Sequence, residues 1–356
     1  MPCWEFILRN AEAYRHCADR LPLPDAGRSP LDGAFGRRLF PTYFALGALL
    51  DASFALRHDG RPMALVEVVL DPRGMLTRHG EPIRIALAPD AGALAEPVIG
   101  QIMGHLVGLL ATQENRPGFL EIEDLAVSEW MSPVGLQALK RGGHPLLVPW
   151  PVVDLDRDEA ELWRTIRPSF RTKINWGRRH LTLSYFGAGA GSHGDFEAAL
   201  NFLTRQGTVL GARTAAAYRD QILSGAGECV SVDFGGRTVG CIITIDEAGT
   251  GFYALAAFDK TVPRGGSAQG PAAPDSKALA PVAHWPLWDA LLRCRCRGCR
   301  GMELYRVFFR GQERPGYRFG TAHFKLGFAS RVRQRIIWRI PLDGMRLEEG
   351  NSGRAR

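Results

Sequence analysis

Lys325 is one of five lysines set beside 39 arginines, and it lies between aromatic residues in the run His323-Phe324-Lys325-Leu326-Gly327-Phe328. A fixed ammonium suits a reaction in which a neutral carbonyl becomes an oxyanion, where one well-placed donor is worth roughly 3–4 kcal/mol in a dry site. His323, two residues earlier, is of the type that moves protons near neutral pH. The plainer alternatives are a solvated lysine and a structural histidine in a loop.

Arg171, Lys173 and Arg178 form a second cationic set. In a helix capped by Ser169, Arg171, Asn175 and Arg178 share one face, because steps of four and three residues return to the same side, while Lys173 is turned away by about 200°. Such a face binds phosphate or another anion, or is simply solvated. Arg331, Arg333, Arg335 and Arg339 fall on one face of a strand, with a solvated sheet face as the plain alternative. Cys294, Cys296 and Cys299 suggest a metal site, but Cys294 and Cys296 point about 200° apart on a helix and no fourth ligand has fitting spacing. Packed free thiols are the favoured reading, and no metal is expected. Nucleophile elbow, Walker loop, zincin motif and dinucleotide fingerprint are all absent from the sequence.

The elements that must position these residues centre on Cys229 to Lys260. Cys229–Phe234, Arg237–Asp246 and Phe252–Phe258 read as an antiparallel meander, joined through Gly235-Gly236 and through a turn at residues 247–251. A Gly/Pro/Ala-rich loop, Val262 to Ala280, then leads into a helix over Pro286 to Arg297. Before the meander, Asp156 and Glu159 mark a capping box, Pro168 ends that helix, and Ser169 opens the next. A strand at Leu181–Tyr185 and helices at Asp195–Gln206 and Thr214–Leu223 follow. After it come a strand at Met302–Tyr305, an irregular or short helical stretch at Gln312–Tyr317, and a strand at Arg333–Ile340.

The first half reads as β-β-β-α-β-α-β: Phe54–Arg57, Met63–Leu70, Pro82–Leu87, Ala93–Gln113, Phe119–Ile122, Pro133–Lys140 and Pro145–Val153. A helix at Ala11–Leu21 and a Pro/Gly-rich segment to Phe40 precede it. The expected class is α/β (α+β), in two domains, 1–155 and 156–356. Residues 1–155 carry 14 Lys and Arg against 18 Asp and Glu, whereas 156–356 carry 30 against 19, so a net −4 half meets a net +11 half. The two should meet different ligands, the basic half a polyanion.

The N-terminal segment lacks an uninterrupted apolar run of signal-peptide type. Pro97–Leu110 falls short of the ~20 residues that span a bilayer, so no transmembrane segment and a cytoplasmic protein are expected. Seven cysteines in 356 residues do not make a disulfide scaffold.

Meander, loop and helix in this order resemble the Gcn5-related acyltransferase (GNAT) fold, and the repeat of the pattern in the first half resembles the tandem version of the FemAB family and its acetyltransferase-like relatives. Ser169-Phe170-Arg171-Thr172-Lys173-Ile174 through Arg178-Arg179 is similar to the Arg-centred segment of that family. Phe252-Tyr253-Ala254-Leu255-Ala256-Ala257-Phe258-Asp259 is similar to its fourth strand, Trp285 to Gly298 to the following helix, and Phe324-Lys325-Leu326-Gly327-Phe328 to its C-terminal signature. The long charged helical arm of some aminoacyl-tRNA-using members has no counterpart here.

The resemblance implies two tandem GNAT-like domains and an N-acyltransferase. It would move an aminoacyl group from aminoacyl-tRNA onto an amine of a peptidoglycan precursor or small metabolite, with acyl-CoA-dependent N-acetyl transfer as the alternative and no permanently bound cofactor. Lys325 and His323 take the catalytic roles, and Arg171, Lys173, Arg178, Tyr253, Asp259 and Phe324 the substrate and donor contacts. The rival from another class is a non-catalytic RNA-binding protein, in which the basic half only holds nucleic acid.

Overall fold

The computed structural model describes residues 3–9, 11–21, 34–39, 50–70, 74–78, 82–111, 117–124, 131–188, 195–208, 210–263, 279–307 and 319–342. In chain order the elements run β1 (Trp4–Leu8), α1 (Glu12–Arg20), α2 (Ala34–Leu39), β2 (Leu50–Asp51), β3 (Phe54–His58), β4 (Arg61–Glu67), β5 (Val69–Leu70), β6 (Leu76–Thr77), β7 (Ile83–Leu87), α3 (Ala95–Ala111), β8 (Phe119–Asp124), α4 (Pro133–Lys140) and β9 (His144–Asp154). They continue as α5 (Glu159–Thr165), α6 (Pro168–His180), β10 (Thr182–Phe186), α7 (Phe196–Arg205), α8 (Ala212–Leu223), β11 (Gly227–Phe234), β12 (Arg237–Glu247), β13 (Thr250–Phe258), α9 (His284–Cys296), β14 (Gly301–Glu303), α10 (Phe319–Leu326) and β15 (Arg331–Pro341). The expected α/β class holds. The expected Gln312–Tyr317 stretch, and the 262–280 loop between Pro263 and Leu279, lie outside the described residues.

Two compact units divide the chain, but not at residue 155. The first takes Met1–Pro24, Leu46–Val148 and Gln334–Arg356; the second takes Asp25–Ala45 and Pro149–Arg333. The expected boundary is corrected for two reasons of packing. β15 pairs along β8 from Ile336↔Asp124 to Pro341↔Phe119, which places Trp338 and Ile340 in the core of the first unit. α2, whose segment had no element assigned from sequence, packs Phe35 and Leu39 into a core with Phe196, Tyr218 and Ile222 of the second unit, and the Phe35 N–H donates to Glu247 Oε2 at 3.1 Å.

In the first unit the strands lie in the order β1-β3-β4-β7-β8-β15, antiparallel apart from the parallel pair β7 and β8. Asp59 and Gly60 turn the β3–β4 hairpin with φ of 50° and 77°, the double left-handed geometry that matches strand twist. α3 buries Val98, Ile99, Ile102, Met103, Leu106 and Leu110 in this core. With the 3-10 turn before it, the helical run Gly92–Ala111 reaches 20 residues, long and apolar enough by length and composition to cross a membrane. The run matches the helix expected at Ala93–Gln113 and is longer than its apolar stretch Pro97–Leu110, the span too short to cross.

The arginine row of β15 is not a merely solvated face. Arg335 Nη1 meets Glu123 Oε1 at 2.7 Å, Arg339 Nη2 meets Glu121 Oε1 at 2.8 Å, and Arg84 Nε from β7 meets Glu123 Oε2 at 2.6 Å. Burial pushes the Glu123 carboxyl up, but Arg84 and Arg335 outweigh it and hold the group at about 2.

In the second unit the order is β9-β14-β13-β12-β11-β10, antiparallel apart from the parallel pair β13 and β14. The meander forms as read, with Gly235 and Gly236 at φ 60° and 75°. The helix starts move by a residue or two. Asp158, not Asp156, caps α5 in a capping box with Glu161. Pro168 opens α6 instead of ending the helix before it, with Arg167 extended as its N-cap, because the first helical position needs no N–H and suits the fixed φ of proline. Residues 319–326 form a helix, so His323 and Lys325 sit on α10 and not in a loop.

Candidate active site

β13 and β14 run side by side for only three residue pairs, Thr250↔Gly301, Gly251↔Met302 and Phe252↔Glu303. Beyond them the strands part. β13 continues along β12, while the chain after Glu303 follows β9, with Leu304 N–H donating to Pro151 O and Val307 N–H to Pro149 O, each at 2.9 Å. Past Phe252 no described strand covers this side of β13, and Tyr253 to Phe258 are half-buried throughout, whereas β12 is buried from Val239 to Asp246. The register also slips at the parting point. Thr244 pairs with Tyr253 and Ile243 with Leu255, leaving Ala254 as a bulge, a device that re-aims side chains beside functional sites.

Lys325 reaches this opening from α10. The residue is 5% exposed, its Nζ lies 3.5 Å from the Arg306 carbonyl oxygen, and it stands 5.9 Å from the ring centre of Tyr253 and 5.1 Å from that of Tyr305. Tyr253 is the first β13 residue past the parting point, and burial raises its phenol well above the usual range, so it is neutral. Tyr305 was not singled out from the sequence. Its ring packs edge-on to Trp150 at 5.2 Å and to Phe252 at 5.9 Å, and its backbone has φ 64°. A tyrosine in the left-handed region is strained, and no sequence signal marks such a position.

The remaining expected residues separate from this pair. Phe324 packs with Phe170, Phe328 and His284 behind α10. Gly327 allows this packing, since a Cβ there would overlap the Phe170 ring. His323 is exposed, and the Arg167 guanidinium lies 2.5 Å from its Nε2 and 3.2 Å from its Nδ1, donating to whichever nitrogen holds the lone pair a base would use. Lys173 Nζ stands 5.3 Å over the Phe170 ring, and Arg178 stands 5.3 Å over Trp163 with Glu159 at 3.9 Å. Asp259 accepts from Thr261 N–H at 2.9 Å, from Thr261 Oγ1 at 2.6 Å and from Arg237. Burial raises its carboxyl, but these donors outweigh it and hold the group below its usual range. Asp259 thus ties the turn after β13.

Arg171 caps the end of α5, donating from Nε to Ile166 O at 2.9 Å and from Nη2 to Arg164 O at 3.0 Å. These are carbonyls that a helix C-terminus leaves without intrahelical partners. Arg171→Ala should therefore destabilise the protein by about 1–2 kcal/mol, read as a lower urea midpoint. Arg171→Lys should recover only part, because one ammonium does not reproduce the fork. An unchanged midpoint with weaker, less salt-dependent anion binding would instead assign Arg171 to a ligand.

His284, at the first position of α9, is a buried residue that sequence reading passed over. It is 9% exposed, edge-on to Phe170 at 4.6 Å and to Phe324 at 5.2 Å, and its Nδ1 has no hydrogen-bond partner among the described residues. Burial, then the charge of Lys173, lowers its pKa to about 3. Below the unfolded value of roughly 6.5, the unfolded chain takes up a proton that the folded one refuses. Stability should fall as pH drops from 6.5 towards 3, and His284→Phe should flatten that slope in melting curves taken across the range.

Neither a protein-family model nor a curated protein sequence matches the chain. Solved structures do. One described as a tandem GNAT protein from the clavulanic acid biosynthesis pathway, without AcCoA, aligns at TM-score 0.54 and 14% identity over 96% of this chain and 99% of its own. FemX aligns at TM-score 0.53 and 9% identity over 95% and 97%. L-PGS from Bacillus licheniformis aligns at 0.51 and 11% over 96% and 94%. At these identities the likeness is one of fold, and it bears out the tandem GNAT architecture.

Proposed function

We propose that the protein is an N-acyltransferase in which an amine attacks an activated acyl carbon held in the opening between β13 and β14. The observation that carries this reading is the Lys325 ammonium, buried at the parting point between Tyr253 and Tyr305. There it can stabilise an oxyanion without the reorganisation that water would need. The C–N bond forms as the bond to the donor's oxygen or sulfur breaks. The amine's proton leaves with the departing group or to solvent, and no covalent enzyme intermediate is required.

The uncovered edge of β13 supports an acyl-CoA donor. An extended arm carrying amides can hydrogen-bond to a free strand edge as an added strand would, and the likeness to a tandem GNAT protein agrees. Aminoacyl-tRNA is the second reading, favoured by the sequence resemblance to the FemAB family. Either donor implies a cytoplasmic reaction. The acceptor is an amine of a small metabolite or peptidoglycan precursor.

The test is a mass-spectrometric screen of candidate amines with acyl-CoA and aminoacyl-tRNA in parallel, using the wild type and Lys325→Ala. A new amide mass in one arm, lost in the variant, supports the reading and selects the donor. Steeply salt-dependent RNA binding with no product in either arm would favour the RNA-binding alternative.

A further inference from the structure

The last turn of α9 folds back on itself. Gly298, at φ 89°, leaves the helix in a left-handed conformation, and the Cys299 N–H returns to the Cys294 carbonyl at 3.3 Å, the glycine-terminated helix end of many proteins. This turn brings together two cysteines five residues apart. Cys294, which the sequence set against Cys296, instead faces Cys299 and Asp246 of β12, while Cys296 is exposed. The three ligand atoms lie within 4.8 Å of one another, and all three residues are buried. Cys294 Sγ and Asp246 Oδ1 are 3.4 Å apart, against about 3.6 Å for the S···O edge of a tetrahedron with metal–sulfur and metal–oxygen bonds of ordinary zinc length.

We infer that Asp246, Cys294 and Cys299 form a structural site for a zinc-class divalent ion at the end of α9. The charges balance: two thiolates and a carboxylate meet a divalent ion and the guanidinium of Arg297. Arg297 does not block the site. Its Nε holds Asp246 Oδ2, and its Nη2 reaches Oδ1 at 3.3 Å and Thr244 Oγ1 at 3.1 Å, the kind of outer partner that orients a metal-bound carboxylate. The C-terminal end of the helix dipole also favours a cation. Gly251 lets the Cys294 thiol pack against β13 beside Asp246, since a Cβ there would overlap Cys294 Sγ and stand 3.3 Å from Asp246 Oδ1. The same point is 3.5 Å from Cγ of buried Met302, which closes this side of the cluster with apolar packing.

Gly251 and Met302 are themselves the middle pair of the parallel β13–β14 register. The ion would therefore fasten α9 to the last paired residues of these strands, one step before they part. On binding, the two thiol protons pass to solvent.

The test uses the full-length, reduced and chelator-stripped protein with cobalt(II), then zinc(II). One equivalent of cobalt should produce a near-ultraviolet thiolate-to-metal charge-transfer band that zinc bleaches. Zinc at about a hundredfold its Kd should raise the melting temperature by roughly 5 °C. Cys294→Ser and Cys299→Ser should each abolish the band, whereas Cys296→Ser should keep it. Should either buried variant fail to fold, the wild-type titration and melting shift still decide. No band in the wild type, a band equally lost in Cys296→Ser, or a Cys294–Cys299 disulfide in the freshly purified protein would each overturn the inference.

Discussion

Lys325→Ala should lower kcat by roughly 10²–10³-fold with little change in KM. The moment at which charge appears decides between kcat and KM. The ground-state carbonyl is neutral, so an ammonium aimed at it gains most of its interaction only as the tetrahedral oxyanion forms, and an interaction made only then acts on kcat. A cation gripping donor phosphates acts equally before and during reaction and would raise KM instead. The setting favours the first role, because Lys325 is 5% exposed and its Nζ faces two aromatic rings and a carbonyl oxygen at the place where the strands part. Removing a buried stem also leaves a void, so Lys325→Met is the matched control: it keeps most of the volume and loses the charge. Equal kcat losses in both variants, with the Met variant melting as the wild type, would tie the effect to charge. A raised KM at constant kcat would move Lys325 to donor binding, and unaltered kinetics would remove it from the site.

Most of the fold was legible because its signals are local. Gly235-Gly236, the alternation of β11 and the stripe of α7 each depend on residues close in sequence, and each element formed where it was read. What the sequence withheld depends on distant pairing. β15 joins β8 some two hundred positions away, and nothing within residues 331–341 says so. Its arginines therefore looked solvated although Glu121 and Glu123 await two of them. Within the site, Lys325 stood out by rarity and Tyr253 through the resemblance, whereas Tyr305 and His284 acquire their roles from a φ angle and from burial, which no spacing encodes. Arg171 shows the converse. Its helical face was read correctly, but the neighbouring helix end takes its guanidinium.

Glu303→Ala should destabilise the protein by about 3–5 kcal/mol, a fall in melting temperature of roughly 10 °C. Glu303 is the last residue of β14 and is 0% exposed; its Oε2 accepts from Trp150 Nε1 at 2.9 Å and its Oε1 from Arg333 Nη1 at 2.8 Å. Truncation takes the carboxylate from both donors at once, and desolvated donors that lose an acceptor are costly. The pair itself is worth less than its breakage suggests, because both charges were taken out of water to form it. Measured against Glu303→Met alone, Glu303→Met with Arg333→Met should therefore regain the part of the loss that the unpaired guanidinium causes, giving a large coupling energy in a double-mutant cycle, while Trp150 Nε1 still lacks this acceptor. Additive losses would show that Arg333 is not the partner that matters. The same cycle reaches the chemistry, because Tyr305 and the Arg306 carbonyl, both in contact with Lys325, follow Glu303 within three residues. If Glu303 fixes where that segment leaves β14, the single variant should lose kcat well below its melting temperature and the double variant should recover it. A Glu303→Ala protein that is less stable yet fully active would confine this carboxylate to holding the sheet together.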